Sequence, residues 1–240
     1  MKAMILAAGL GTRLGSLTKD KPKALVPFGG RPMLEGLILR LKGQGFEDIL
    51  INVHHHAEQI MQFVKEHQAL GVDIRFSHEK DALLDTGGAI AFAKNFFKGA
   101  EPVLIHNVDV YSDINFRKLF EFHTRKQSMA TLVVRDRETG RKLLFDEEMG
   151  LKGWENQKTG ERKWVKEPHE NLSSLAYSGI YVVSPDFAEN IPFTGAFSII
   201  DTWLKMASDY PIYGWFDANS LWYDLGSPDR IKRAEEELQF

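Results

Sequence analysis

Cysteine is absent from all 240 residues. That removes disulfides, thiolate zinc sites and thiol nucleophiles, and it agrees with a reducing, cytoplasmic setting. An excess of one charge is also missing. With 30 Lys and Arg against 33 Asp and Glu, the net charge is −3. Such a balance provides no global basic field for nucleic acid or an anionic membrane surface, so neither is an expected partner and an anionic ligand has to be gripped locally. No run approaches the roughly 18 unbroken apolar residues of a membrane span. The start "MKAMILAAGL" places Lys2 ahead of eight apolar or small residues in the manner of a leader. It runs into "GTRL" and a basic loop without a cleavage signal, so secretion is not expected. There is no tandem repeat, low-complexity tract or linker, and no G-x-S-x-G elbow of the covalent hydrolases. The common nucleotide fingerprints are lacking too. Counted from Gly9, the third glycine of G-x-G-x-x-G falls on Leu14, and no glycine opens a G-x-x-x-x-G-K-S/T loop.

What the chain does have is alternation. A hydrophobic content of 43% supports one sizeable core. Lys2 to Ala7 reads as a buried strand, and Leu34, Leu37, Ile38 and Leu41 follow at the spacing of a helix stripe that Gly43 and Gly45 end. Strand "DILINV", a helix striped by Ile60, Phe63, Val64 and His67, strand "VDIRFS", a helix over 89–96 and strand "PVLIH" continue the pattern. This predicts an α/β fold, a Rossmann-like, mainly parallel mixed sheet between helices, with ligands beyond the carboxyl ends of the strands. After "ATLVV" the grammar changes. Residues 143–165 read as hairpins turning at Gly150, Gly153 and Gly160, which places a small hairpin lobe at roughly 140–175 within a single domain, 1–240. Strand "YSGIYVV", a helix near 198–207, strands "IYGWF" and "LWYDL" and a helix from Pro228 carrying Ile231, Ala234 and Leu238 close the chain.

The first loop is the chemically telling segment. Gly9 and Gly11 let backbone N–H groups approach a ligand, and Thr12 adds a hydroxyl. Arg13 offers a planar fork of donors, while Lys23, stiffened by Pro22 and Pro27, offers a point charge. Asp109 ends an apolar strand, where this architecture places functional groups. The consecutive His54, His55 and His56 cannot all face one ion and lack a completing ligand, so they read as a strand-to-helix loop.

Taken together, "LAAGLGTRLGSLTKDKPKALVPFGGRPML", residues 6–34, resembles the signature of the sugar-1-phosphate nucleotidyltransferases, L-A-A/G-G-x-G-T-R-L followed by P-K-x-L-x-P and G-x-P-M/L. The resemblance implies that Leu6, Ala8, Gly9, Gly11 and Thr12 wrap a nucleoside triphosphate, that Arg13 holds its β,γ-phosphates and that Lys23 meets the reacting α-phosphate. "LLDTGGAI" resembles the family's L-x-T-G-G segment, with Gly87 against the base. "VLIHNVDV" is similar to the strand ending in N-G-D, which implies Asn107 near the nucleotide and Asp109 as a Mg²⁺ ligand. "LWYDLGSPDRIKRA" is similar to D-L/I/V-G-S/T-P-x-x-Y/L-x-x-A, implying Asp224 as the second Mg²⁺ carboxylate. "AYSGIYVVSP" puts Gly179 at the sugar, and "WVKEPH" offers Glu167 as a sugar-hydroxyl acceptor, in an order opposite to the family's E-K-P. Val108 stands where the family carries glycine, so its branched side chain is expected to crowd the ribose or sugar.

The implied reaction joins an NTP and a sugar 1-phosphate into an NDP-sugar and pyrophosphate, with Mg²⁺ as cofactor. "INVHHHAEQI" and "LLDTGGAI" together look most like the compact bacterial uridylyltransferases acting on N-acetylmuramic acid 1-phosphate, so UTP is the favoured nucleotide. GTP-dependent mannose or manno-heptose 1-phosphate guanylyltransferases share the second segment and remain the alternative. A nucleotide-sugar sensor without turnover is the alternative of another class. The sequence leaves open a homo-oligomer.

Overall fold

The computed structural model describes residues 1–240. In chain order the elements are β1 (Lys2–Leu6), β2 (Pro27–Phe28), β3 (Arg31–Pro32), α1 (Met33–Gly43), β4 (Asp48–Val53), α2 (Ala57–Glu66), β5 (Asp73–His78), α3 (Asp85–Phe92) and α4 (Lys94–Phe97). There follow β6 (Val103–Asn107), β7 (Val110–Ser112), α5 (Phe116–Arg125), β8 (Ala130–Arg135), β9 (Arg141–Phe145), β10 (Leu151–Asn156) and β11 (Glu161–Trp164). The chain ends with β12 (Ser173–Val183), α6 (Ile199–Met206), β13 (Ile212–Phe216), β14 (Trp222–Asp224) and α7 (Pro228–Leu238). Two compact units emerge, Met1–Leu83 with Ile105–Ile114 and Leu221–Phe240, and Leu84–Leu104 with Asn115–Ser220. As the alternation requires, the fold is α/β with a mixed central sheet flanked by helices, parallel in the first unit and largely antiparallel in the second. No helix is long and apolar enough to cross a membrane.

In the first unit the strands lie in the order β6-β1-β4-β5. β1 and β4 pair in parallel from Lys2↔Asp48 to Leu6↔Asn52, and β4 and β5 from Asp48↔Asp73 to Val53↔His78. Parallel neighbours need a crossover, and each crossover helix must bury an apolar stripe. α1 does so with Met33, Leu34, Leu37, Ile38 and Leu41, each worth about 1.5–3 kcal/mol when fully buried. α2 is shorter than its stripe. It buries Ala57, Ile60 and Val64 and ends at Glu66, leaving His67 exposed as the C-cap, where its Nδ1 meets the Phe63 carbonyl at 2.8 Å. A second apolar cluster, Leu14, Val26, Phe28, Met33, Leu225, Ile231 and Ala234, ties the loop after β1 to the antiparallel β7/β14 ladder and to α7.

In the second unit the eleven-residue β12 pairs with β9 through Ser173–Leu175 and with β8 from Ala176 onward, both antiparallel, and β8 pairs with β13 in parallel. The β9–β10–β11 meander occupies the segment expected to form hairpins. Gly160 turns with φ 74°. Gly153 does not turn. It lies inside β10 opposite Trp164, where a Cβ would come within 2.8 Å of the Lys163 carbonyl oxygen, so glycine there serves a close approach of backbones. The helix expected over 89–96 begins earlier, at Asp85, and breaks after Phe92 into α3 and α4. α5 was not anticipated. It buries Phe116, Leu119 and His123 and is capped by the Asn115 side chain, which accepts the Lys118 N–H at 3.2 Å.

Candidate active site

The site grows from the carboxyl end of β1. The Leu6 carbonyl accepts the Val108 N–H at 3.2 Å, and the Ala7 N–H donates to the Asn52 carbonyl at 3.1 Å, so the strand end is tied to both neighbours. Ala8 is buried, whereas Gly9, Thr12 and Arg13 are exposed. At Gly11 the backbone is left-handed, φ 66°, and a Cβ would sit 3.0 Å from Thr18 Cγ2 and 3.2 Å from Lys23 Cβ. The Thr18 hydroxyl donates to the Gly11 carbonyl at 3.0 Å and closes the loop. Leu14, fully buried, anchors the residue that follows Arg13.

Lys23 is held on both sides. Pro22 before it and Ala24 and Val26 after it are buried, and a short 3₁₀ turn runs over Lys23–Leu25. Its ammonium therefore has few places to go, and it lies 2.9 Å from Asp109 Oδ2, with only 14% and 11% of the two side chains exposed. Asp109 is in turn fixed by its backbone, because its carbonyl accepts the Leu225 N–H at 2.8 Å. Asp224 stands opposite Val110 in the β7/β14 ladder and Asp109 immediately precedes β7, so two carboxylates 115 positions apart in sequence lie at the same end of that ladder. Asp224 Oδ1 accepts the Gly226 N–H at 2.8 Å, and Oδ2 pairs with Arg230 Nη1. The Arg13 guanidinium packs on Gly226, where a Cβ would stand 2.9 Å from Arg13 Nη2 and 2.7 Å from Asp224 Oδ1. Arg13, Lys23, Asp109 and Asp224 are thus brought together in the first unit. Asn107 ends β6 there, and its carbonyl meets the Nδ1 of His106 at 2.8 Å. Burial pushes the His106 imidazole down to about 4.

The donor set fits a hard divalent cation. No group of three or more His, Cys, Asp and Glu exists that could cage a metal by protein alone. Two neighbouring carboxylates suit an ion such as Mg²⁺, which keeps positions for phosphate oxygens and water. Asp109 and Asp224 would hold it.

Other expected residues fall elsewhere. Gly87 lies in α3 of the second unit, where its N–H donates to the Phe197 carbonyl at 2.9 Å and a Cβ would come within 2.5 Å of the Phe197 ring. Gly179 sits in β12 at φ 77°, between Tyr177 and Tyr181 where the register with β8 shifts, so it is the glycine of a β-bulge. Glu167 is exposed in the loop between β11 and β12. Val108 lies in the first unit as well. It is 1% exposed and lines a cleft of about 230 Å³ with Phe28, Met33, Leu37 and Leu225. Sequence reasoning missed Arg230, which fell on an unconstrained position of its motif. One signal was available: an arginine in the first turn of a helix opposes the macrodipole and asks for a nearby anion.

Over residues 2–239 the chain matches the family described as nucleotidyl transferase. It is 32% identical over 232 residues to the mannose-1-phosphate guanylyltransferase catalytic subunit beta of Drosophila pseudoobscura pseudoobscura, covering 95% of this chain and 59% of that protein. It is 31% identical over 233 residues to the mannose-1-phosphate guanyltransferase of Yarrowia lipolytica, covering 95% of this chain and 61% of that protein. The chain therefore spans about three fifths of the length of these curated relatives. HddC from Yersinia pseudotuberculosis complexed with GMP-PN superposes with a TM-score of 0.77 at 24% identity over 99% of both chains. A UDP-glucose pyrophosphorylase complexed with UDP-glucose gives 0.78 at 19% identity, covering 99% of this chain and 98% of that one. These two share the fold. With the family match running almost end to end, the chain belongs to the nucleotidyl transferase family.

Proposed function

We propose that the protein transfers a nucleotidyl group from an NTP to a sugar 1-phosphate and releases pyrophosphate, with GTP and mannose 1-phosphate or a related hexose or heptose phosphate as the substrate pair. The observation that carries the reaction type is the Lys23–Asp109 contact at 2.9 Å at the end of the ladder that carries Asp224, with Arg13 lying over Gly226. A phosphate oxygen of the sugar phosphate is already a competent nucleophile at neutral pH, so no general base is needed. It bonds to the α-phosphorus as the bond to the bridging oxygen of the β-phosphate breaks in line, and pyrophosphate departs. Lys23 compensates charge on the α-phosphoryl oxygens, and Arg13 takes the charge growing on the leaving pyrophosphate. Mg²⁺ held by Asp109 and Asp224 would neutralise both anions and align them. The glycine loop would bring backbone close to the triphosphate, and Leu14, Val26 and Leu225 anchor the segments that carry these charges.

The guanylyl branch is favoured over uridylyl transfer to N-acetylmuramic acid 1-phosphate. Relatives named for guanylyl transfer to mannose 1-phosphate align over 95% of the chain, whereas the uridylyl reading rests on "INVHHHAEQI" and "LLDTGGAI" alone. The sensor reading rests on Val108 alone and stands against the joint presence of Arg13, Lys23, Asp109 and Asp224. Pyrophosphate release is the test, with each NTP and dTTP crossed against mannose, manno-heptose, glucose and N-acetylmuramic acid 1-phosphates. Release that is greatest with GTP and mannose or manno-heptose 1-phosphate supports the proposal. Release with UTP and N-acetylmuramic acid 1-phosphate would move the substrate assignment, and binding of Mg²⁺-NTP without any release would return the sensor.

A further inference from the structure

Each carboxylate of the site already has a cation. For Asp109 it is Lys23, a residue of the shared signature. For Asp224 it is Arg230, which falls on an unconstrained position of the last motif. The two partners are built differently. Lys23 is largely buried and comes from a rigid turn, while Arg230 is half-exposed, with 52% of its side chain open, and reaches back from the first turn of α7. Helix N-termini disfavour a cation, and the contact with Asp224 offsets that for Arg230. Each oxygen of the carboxylate already has one partner. Oδ1 takes the Gly226 N–H and Oδ2 takes the Arg230 guanidinium. A divalent cation arriving at Asp224 therefore meets the Arg230 guanidinium already on Oδ2 and has to share the carboxylate with it or displace it.

We propose that Arg230 is a positioning residue, the resident counter-ion of Asp224, which holds the carboxylate aimed into the site and weakens its grip on a divalent cation until the metal arrives with nucleotide phosphates. The idea rests on the reading of Asp109 and Asp224 as the metal carboxylates. The pairing is partly exposed, and pairs of that kind are worth little, so the competition is modest and reversible. It suits a site that has to load and release metal-pyrophosphate at every turnover. A free cation pays the displacement of Arg230 with nothing in return, whereas one carrying a triphosphate brings anionic oxygens that accept the displaced guanidinium.

The test measures Mn²⁺ binding by electron paramagnetic resonance, without nucleotide and with a non-hydrolysable GTP analogue, in the wild type, Arg230→Gln, Asp224→Asn and the double variant. Arg230→Met serves as a second variant, and a thermal melt of each confirms folding. The expected result is that Arg230→Gln tightens Mn²⁺ binding without nucleotide by about 2- to 5-fold. The gain shrinks when the nucleotide analogue is present and vanishes in the Asp224→Asn background, as a direct competition requires and a diffuse field effect does not. Unchanged or weaker Mn²⁺ binding in both Arg230 variants would overturn the role of Arg230 and leave the metal site standing. Wild-type Mn²⁺ affinity in Asp224→Asn would instead overturn the metal assignment itself.

Discussion

At the scale of single residues, the site depends on close approaches that a methyl group would spoil. Gly226 is the sharpest case, because a Cβ would press on both the Arg13 guanidinium and the Asp224 carboxylate. Gly226→Ala is expected to lower turnover at least 10-fold, a loss of about 1.4 kcal/mol in transition-state stabilisation, while shifting the melting temperature little, since the displaced groups are side-chain ends. Parallel kinetic and melting measurements check this. Removing the charges themselves costs more. Lys23→Ala or Arg13→Ala should reduce pyrophosphate release by about 10²–10³, by analogy with the loss of one oxyanion donor. Most of this set was legible in the sequence, because Arg13, Lys23, Asp109 and Asp224 each sit in a spaced motif. Arg230 was not, since an exposed arginine in a polar helix face looks the same whether or not an aspartate lies beneath it. Nor was the burial of Val108, which depends on the cleft shared with Met33 and Leu225 rather than on its neighbours in the chain.

At the scale of elements, three short segments carry the chemistry, and one apolar cluster holds all three. Leu14 anchors the segment of Arg13, Val26 that of Lys23, and Leu225 that of Asp224. Leu225, 2% exposed, is the residue whose truncation should be felt in both stability and function. Leu225→Ala is expected to cost about 2–5 kcal/mol in denaturant unfolding. At concentrations of denaturant where the fold survives, it should also lower turnover, because the Leu225 N–H that meets the Asp109 carbonyl moves with the ladder. Strands β1, β4, β5 and β6 could be read from their apolar runs, and α1 from its stripe. α5 escaped because its buried face holds only Phe116, Leu119 and His123. A histidine in the core breaks the apolar period that pattern reading relies on. The early start of α3 escaped for a different reason. Asp85 has φ 58° and accepts the Thr86 N–H with its own carboxylate at 2.6 Å, a local arrangement that periodicity does not register.

At the scale of the whole molecule, acid should be the weak side. His106 is fully buried, and His123, 3% exposed, meets Thr131 Oγ1 at 2.9 Å. Burial pushes both imidazoles down to about 4. Both folded values lie below the unfolded value near 6.5, so the unfolded chain binds more protons across that window, and stability falls as pH drops from about 6.5 towards 4. Each group accounts for about 3 kcal/mol if its full shift is realised. A pH series of melts should show the loss starting near 6.5, and His123→Gln should flatten part of it. A flat profile between pH 7 and 4.5 would contradict the burial of these rings as neutral species. The β7/β14 ladder has one more consequence, in time rather than in space. Asp109 waits for Leu225, and Asp224 for its own strand, so during synthesis the parallel sheet has all its strands well over a hundred residues before the carboxylate pair can exist. A nascent chain therefore presents its glycine loop, Arg13 and Lys23 long before Asp109 and Asp224 can meet, so the turnover proposed above is expected only once this last ladder has formed.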